Sequence, residues 1–498
     1  MVNGVVVALV GLLALIVPQG DPAPPPGPAA EVPSEGDYYR LVDLNAPEDV
    51  VLEVGGLIAP GEGLLYAATR RGEVWRIEDA YGDEPVFSLW IDGLQEPLGL
   101  LQLNGWIYTA QRGELSRMRD ADGDGRGDEV ECVTDAWRIS GNYHEYAFGP
   151  RADREGNLWV TLNKPFGAEP FGKVPFRGWA MRITPDGEAR AVCSGLRSPC
   201  GVEVSPWGDV FYSDNQGEWC PTNKIAHLRP GTFHGHPWGI DSSDLPESDV
   251  RHPGEVPNGR KIPEVARELP NLQLPALWLP YDKMGRSPSG MLWDTSDGTF
   301  GPFGGQLFIA DQHSANVMRA HLEMVDGEWQ GACFPFREGF GCGILRICWG
   351  EDGSMVAGMS NRGWGSLGNR PYGIQRLVWT GEVPNEVLRM EALPHGFRLV
   401  FTQPMDRELL ADPRSYRMES YTYLLHEPYG SPEVDRGRVL VTTAVPAADG
   451  LSVEIHCVGL RAGYVHQLHL DGLRTPEGVP LLHPVAYYTL NAIPAAGE

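Results

Sequence analysis

Basic charge is scarce in this chain, and no run is apolar for the ~20 residues that a membrane-crossing helix needs. Lys and Arg together number 40 against 66 Asp and Glu, a formal net charge of −26. A surface of that sign repels phosphate backbones, which argues against nucleic-acid binding, and it favours metal cations. The eight cysteines form no C-x-x-C and no C-x-x-C-H. That argues against a zinc ribbon, a thioredoxin-like site or an attached c-type haem. Long helices are disfavoured as well, because 62 glycines and 43 prolines suit turn-rich β structure and interrupt helices.

The one apolar run, Val5–Val17, is too short to span a bilayer and fits the core of a signal peptide. Residues 1–20 therefore read as a signal peptide, with an uncleaved N-terminal anchor as the alternative. Residues 21–37, including the Pro- and Ala-rich stretch Pro22–Pro33, read as a linker. The expected location is periplasmic or extracellular, with no membrane span in the mature chain. In that setting an even number of cysteines permits disulfides, whose pairing stays open.

What the chain has in abundance is a repeat: an apolar strand, a Gly-containing turn, a second apolar strand, and often a third with alternating apolar positions. Copies occur at Val54–Ile77 (GLLYAAT, GEVWRI), Pro97–Arg119 (GLLQLNGWIYTAQ), from His144 (EYAFGPRADREGNLWVTLN), from Cys200 (GVEVSPWGDVFYSDN), from Ser289 (GMLWDTSDGTFGPFGGQLFIADQ) and at Ile344–Trp379 (LRICWGEDGSMVAGMS). Strands and turns at this spacing indicate the blades of a β-propeller. The expected fold is all-β, a six-bladed β-propeller over residues 38–382 followed by an Ig-like β-sandwich over 383–498. The latter carries GFRLVFTQPMD, RVLVTTAV, LSVEIHCVGL and GYVHQLHLDGL. Two insertions, Lys164–Arg177 and Thr232–Met284, are long loops of the kind that build binding sites on a rigid scaffold.

Residues 120–131 read DADGDGRGDEVE. Asp120, Asp122, Asp124, Arg126 (through its carbonyl), Asp128 and Glu131 fall at the ligand positions of the twelve-residue EF-hand loop, with Gly125 at the turn. The flanks look like strands, so a Ca²⁺ loop inside a hairpin is expected, with a structural ion.

The segment GLRSPCGVEVSPWGDVFYSDN and, before it, GNYHEYAFGPRADREGNLWVT resemble the glucose/sorbosone dehydrogenase family of quinoprotein six-bladed propellers over roughly residues 40–380. The whole chain also resembles a group of exported planctomycete-type proteins that carry this propeller. The resemblance implies oxidation of a sugar hydroxyl or small alcohol with pyrroloquinoline quinone (PQQ), and an external cytochrome or other acceptor. It implies His144 as general base and Arg197 as its electrostatic partner. Ser198, which stands where the family has an Asn, is by the same resemblance a cofactor-binding candidate. Arg346, Lys283 and Arg286 are candidate partners for the quinone's three carboxylates.

Two other readings stay open: a non-catalytic propeller that binds carbohydrate or protein, and a calcium-dependent hydrolase or lyase. His227, His234 and His236 could hold a transition metal or simply pack. The loop Asn361–Gly373, with Arg362, Trp364, Arg370 and Tyr372, suits either a sugar ring or blade packing.

Overall fold

The strands expected from the repeats form in this computed structural model, which describes residues 1, 33–167, 174–363 and 365–495. The run Val5–Val17, nearly all of Pro22–Pro33, and Trp364 lie outside the described residues. No described helix is long and apolar enough to cross a membrane.

Each repeat builds a sheet of antiparallel strands in a propeller-like arrangement, with one added strand, Thr232–Phe233, running parallel to its neighbour in the third. The first holds Val54–Gly61, Leu64–Thr69, Val74–Glu78 and Val86–Ile91. The second holds Leu101–Leu103, Trp106–Ala110, Leu115–Arg119 and Glu129–Thr134. The third and fourth begin at Ala147–Ala152 and Pro199–Val204, and the insertion after residue 232 lends each an outer strand, Thr232–Phe233 and Leu277–Leu279. The last sheet holds Ile344–Trp349, Met355–Ser360 and Tyr372–Trp379, and the strand Tyr39–Leu44 from the start of the chain completes it, in register from Tyr39↔Trp379 to Leu44↔Ile374.

The recurrent glycine at the head of a repeat has a packing cause. A Cβ on Gly99, which has φ +145°, would lie 2.3 Å from the Gly149 carbonyl oxygen of the next repeat. One on Gly201 would lie 2.0 Å from the Ser289 carbonyl oxygen. Neighbouring inner strands touch backbone to backbone, and only glycine fits there.

One expectation meets a different arrangement. Five sheets of four or five strands stand separately, but the strands of the fifth repeat open an eleven-stranded sheet. Its outer strand, Glu328–Arg337, pairs onward with the last strand of the chain, Val485–Leu490, at Gly331↔Thr489, Ala332↔Tyr488 and Cys333↔Tyr487. The strands after residue 383 are thus hydrogen-bonded into the fifth repeat, within the one compact unit that begins at Ser34. Within this region Val434–Pro446 is shared. Its first half pairs with Arg417–Thr422 and its second with Ser452–Val458, which folds the sheet over a core of Phe397, Leu399, Phe401, Val453, Ile455 and Tyr488. The cysteines, whose pairing the sequence leaves open, are all eight free: five are buried, two half-buried and Cys132 exposed.

Candidate functional site

Second strands of the repeats end at Thr69, Ala110, Leu162, Asp214, Asp311 and Ser360, and the residues just beyond these ends gather at one mouth. Asp214 sets the geometry on one side. Its buried carboxylate accepts the backbone N–H groups of Arg197 (3.0 Å) and Ser198 (2.7 Å), which fixes the turn GLRSP. Asp311 does the same opposite, accepting the N–H groups of Arg286, Ser287, His313 and Ser314.

The mouth is lined by two ion clusters of the same charge pattern, two cations on one carboxylate. In the first, Glu96 Oε1 lies 2.5 Å from Arg70 Nη2 and Glu96 Oε2 lies 2.6 Å from Arg112 Nη2. In the second, Glu218 Oε1 lies 2.5 Å from Lys164 Nζ and Glu218 Oε2 lies 2.9 Å from Arg197 Nη2. Both clusters are faced with rings. The Arg112 guanidinium sits 5.6 Å and 5.0 Å from the Tyr143 and Tyr146 rings. Lys164 and Arg197 sit 4.4 Å and 4.5 Å from the Phe166 ring.

His144 lies among these rings, 4.8 Å from Phe166 and 5.3 Å from Tyr143. Burial, followed by the charges of Arg197, Arg112 and Lys164, lowers its pKa below the usual histidine value. The structure thus brings His144 and Arg197 into one neighbourhood. Ser198 joins them from below, its Oγ accepting from Asn163 Nδ2 at 3.1 Å. The floor narrows to a cavity of about 20 Å³ bordered by Tyr146, Phe148, Ser198 and Cys200, on the scale of a single water.

The other three proposed cofactor partners stand apart from this group. Arg346 is buried under the floor, where it donates to the carbonyls of Leu345 (2.7 Å) and Leu98 (3.0 Å), and burial lowers its pKa. Arg286 is at the rim, bonded to Asp282 and 3.2 Å from His313 Nε2. Lys283 faces the C-terminal strands and donates to Glu433 (2.6 Å) and Gln467 (2.8 Å).

The C-terminal region also reaches the mouth. The backbone at Glu218 pairs with that at Tyr429, Gly430 N–H donates to the Gly217 carbonyl at 3.0 Å, and Trp219 N–H donates to the His426 carbonyl at 2.9 Å. This strapping leaves the Tyr429 ring 66% exposed and 5.4 Å from the Arg197 guanidinium. Glu96, Lys164, Glu218 and Tyr429 were not singled out from the sequence. They lie on loops without period, and Tyr429 is more than two hundred positions from its partner.

The acidic loop joins Leu115–Arg119 to Glu129–Thr134, on the outer edge of the second sheet. Carboxylate oxygens of Asp120, Asp122 and Asp124 lie within 4.8 Å of one another. Gly125, at φ +90°, makes the turn, and Arg126 N–H donates to Asp124 at 2.9 Å. Two of the expected ligands are used otherwise. Asp128 accepts the Ala121 N–H at 2.8 Å, and Glu131 lies opposite Arg117 across the strand pair and accepts its Nε–H at 2.7 Å. His227, His234 and His236 do not converge: His227 faces Asp209, His234 contacts Thr232, and His236 approaches Glu218.

A family model described as a domain of unknown function (DUF7133) matches residues 53–230. No curated protein matches the sequence. Among solved structures, a Thermus thermophilus protein assigned as an oxidoreductase (glucose dehydrogenase) superposes with a TM-score of 0.50 at 19% identity, covering 68% of this chain and 100% of that one. The PQQ-bound aldose sugar dehydrogenase of Streptomyces coelicolor gives 0.47 at 15% identity, covering 70% and 99%. The soluble aldose sugar dehydrogenase of Escherichia coli, in its apo form, gives 0.43 at 16% identity, covering 68% and 99%. The first of these likenesses shows the propeller fold.

Proposed function

We propose that this chain is an exported carbohydrate-binding propeller of the sugar-dehydrogenase type, and that its mouth takes a sugar carrying negative charge. One observation carries the reading. Each ion cluster sets two cations against one carboxylate: Arg70 and Arg112 against Glu96, and Lys164 and Arg197 against Glu218. In a chain of net charge −26 each cluster is thus net positive, while the Asp214 and Asp311 carboxylates are turned to backbone N–H groups. The depressed pKa of His144, with three cations among its causes, supports the same field. Low-dielectric walls focus such a field on an incoming anion. Tyr143, Phe166 and Tyr429 offer faces for the apolar side of a sugar ring, while the guanidinium groups and carboxylates can serve its hydroxyls.

In this reading the ring has six blades, with Pro288–Trp293 to Glu328–Arg337 as the fifth, and residues 383–498 are an Ig-like module that also supplies Tyr429. Asp120, Asp122 and Asp124 offer the hard oxygens a Ca²⁺ ion requires, with water completing the shell.

Titration calorimetry with glucuronate and glucose tests the assignment. Glucuronate should bind more tightly, its affinity should fall with salt, and Arg197→Ala should weaken it. Equal affinity for the two sugars would remove the charge argument.

The second reading is oxidation of a bound sugar, with electrons passed to a cytochrome or another acceptor. It is favoured by the placement of the His144 imidazole, a group able to act as general base, close to Arg197. Three of the cations expected to hold PQQ are engaged elsewhere, Arg346 on floor carbonyls, Lys283 on Glu433 and Arg286 on Asp282, so its carboxylates would fall to Arg70, Arg112, Lys164 and Arg197 at the mouth. A calorimetric titration with PQQ separates the readings, and micromolar binding would restore the quinoprotein assignment.

A further inference from the structure

The outer face of the C-terminal strands carries three side chains outside the mouth that converge across a strand pair. Glu454 and His456 lie two apart on Ser452–Val458, so they share one face, while Ile455 between them and Val453 before them point into the core. His395 arrives from the neighbouring turn. Its carbonyl accepts the Cys457 N–H at 2.7 Å, and the next residue, Gly396, pairs directly with His456. The two imidazole rings meet edge to face with centroids 4.0 Å apart. One ligand atom from each of His395, Glu454 and His456 lies within 4.8 Å of the others.

We infer that His395, Glu454 and His456 form a binding site for a divalent transition-metal cation of the zinc class. Two imidazole nitrogens and one carboxylate oxygen suit zinc, whereas Ca²⁺ and Mg²⁺ require more oxygens. No side chain of the protein hydrogen-bonds the ring nitrogens of His395 or His456 among the described residues, so coordination displaces nothing. Arg398 supplies the outer support: its Nη2 and Nε donate to Glu454 Oε1 at 2.6 Å and 3.2 Å. That fixes the carboxylate and leaves Oε2 to turn toward the histidines. Metal–nitrogen bonds of about 2.0–2.1 Å place tetrahedral ligand atoms roughly 3.3 Å apart, which small side-chain rotations at this surface can reach. Three protein ligands leave a fourth position for water or for a group from another molecule.

The test uses the full chain. Zinc is titrated by calorimetry, and Co²⁺ is followed by its visible absorption, which is intense only at low coordination number. One ion should bind with a tetrahedral-type cobalt spectrum. His395→Ala and His456→Ala should each abolish both signals, with unchanged circular dichroism. Arg398→Ala should weaken zinc roughly 10-fold, and Asp122→Asn should leave zinc binding as it is. A cobalt spectrum without intense visible bands would overturn the inference. So would zinc binding that survives both histidine changes but falls with Asp122→Asn.

Discussion

Replacing His483 should cost stability in a way that depends on pH. The imidazole bridges two carboxylates, with Nδ1 2.5 Å from Glu386 Oε1 and Nε2 2.9 Å from Glu35 Oε1. Its side chain is 12% exposed, and Glu35 belongs to the short helix Glu35–Tyr38 ahead of the first strand. Burial alone would lower its pKa, but the flanking Glu386 and Glu35 carboxylates raise it from 6.5 to about 9. At about 1.4 kcal/mol per pH unit, that difference makes the protonated bridge worth roughly 3 kcal/mol. A pKa raised on folding gives stability that is fully present below the unfolded value near 6.5 and is lost as pH rises through 9. Urea unfolding of the wild type and of His483→Gln should therefore differ by about 3 kcal/mol at pH 6 and converge near pH 10. Groups away from the bridge cancel in the difference. A gap that stays constant from pH 6 to pH 10 would show that the histidine acts by packing and refute the electrostatic argument.

Three further outcomes follow from the geometry. Gly201→Ala should destabilise the fold by about 3 kcal/mol or more, because the added carbon would meet the Ser289 carbonyl oxygen at 2.0 Å. Gly113→Ala, where nothing lies within 4 Å, should leave the melting temperature nearly unchanged in the same assay. Calcium should raise the melting temperature of the wild type but not of Asp122→Asn, which keeps the acceptor for the Asp124 N–H and loses one charge. In denaturant without reductant, a thiol assay should count eight groups per chain, and a lower count would reveal a disulfide.

The repeats were legible because packing writes them into the sequence. Wherever neighbouring inner strands touch, as at Gly99 and Gly201, glycine recurs at the same point of the motif. The link between the fifth repeat and the chain end left no such mark. Gly331↔Thr489 is a backbone pairing, and backbone hydrogen bonds do not depend on which residues make them. In the mouth, His144 and Arg197 were legible through family resemblance. Their organiser Glu218 was not, because its role depends on a loop closing over two cations from other repeats. The acidic loop shows the opposite error. Glu131 has ligand spacing when counted along the chain, yet strand register sets it opposite Arg117, where a cross-strand ion pair competes for its carboxylate.

The strand Val485–Leu490 is the last regular element among the described residues, and it covers the outer edge of Glu328–Arg337. Until it is in place, that edge presents unpaired amides beside buried residues such as Cys333 and Phe334, a template for pairing with another copy. A chain cut short by a few dozen residues would therefore be adhesive as well as less stable. The final strand protects the protein from its own sequence, and selection against aggregation would hold it in place even if the mouth were never used.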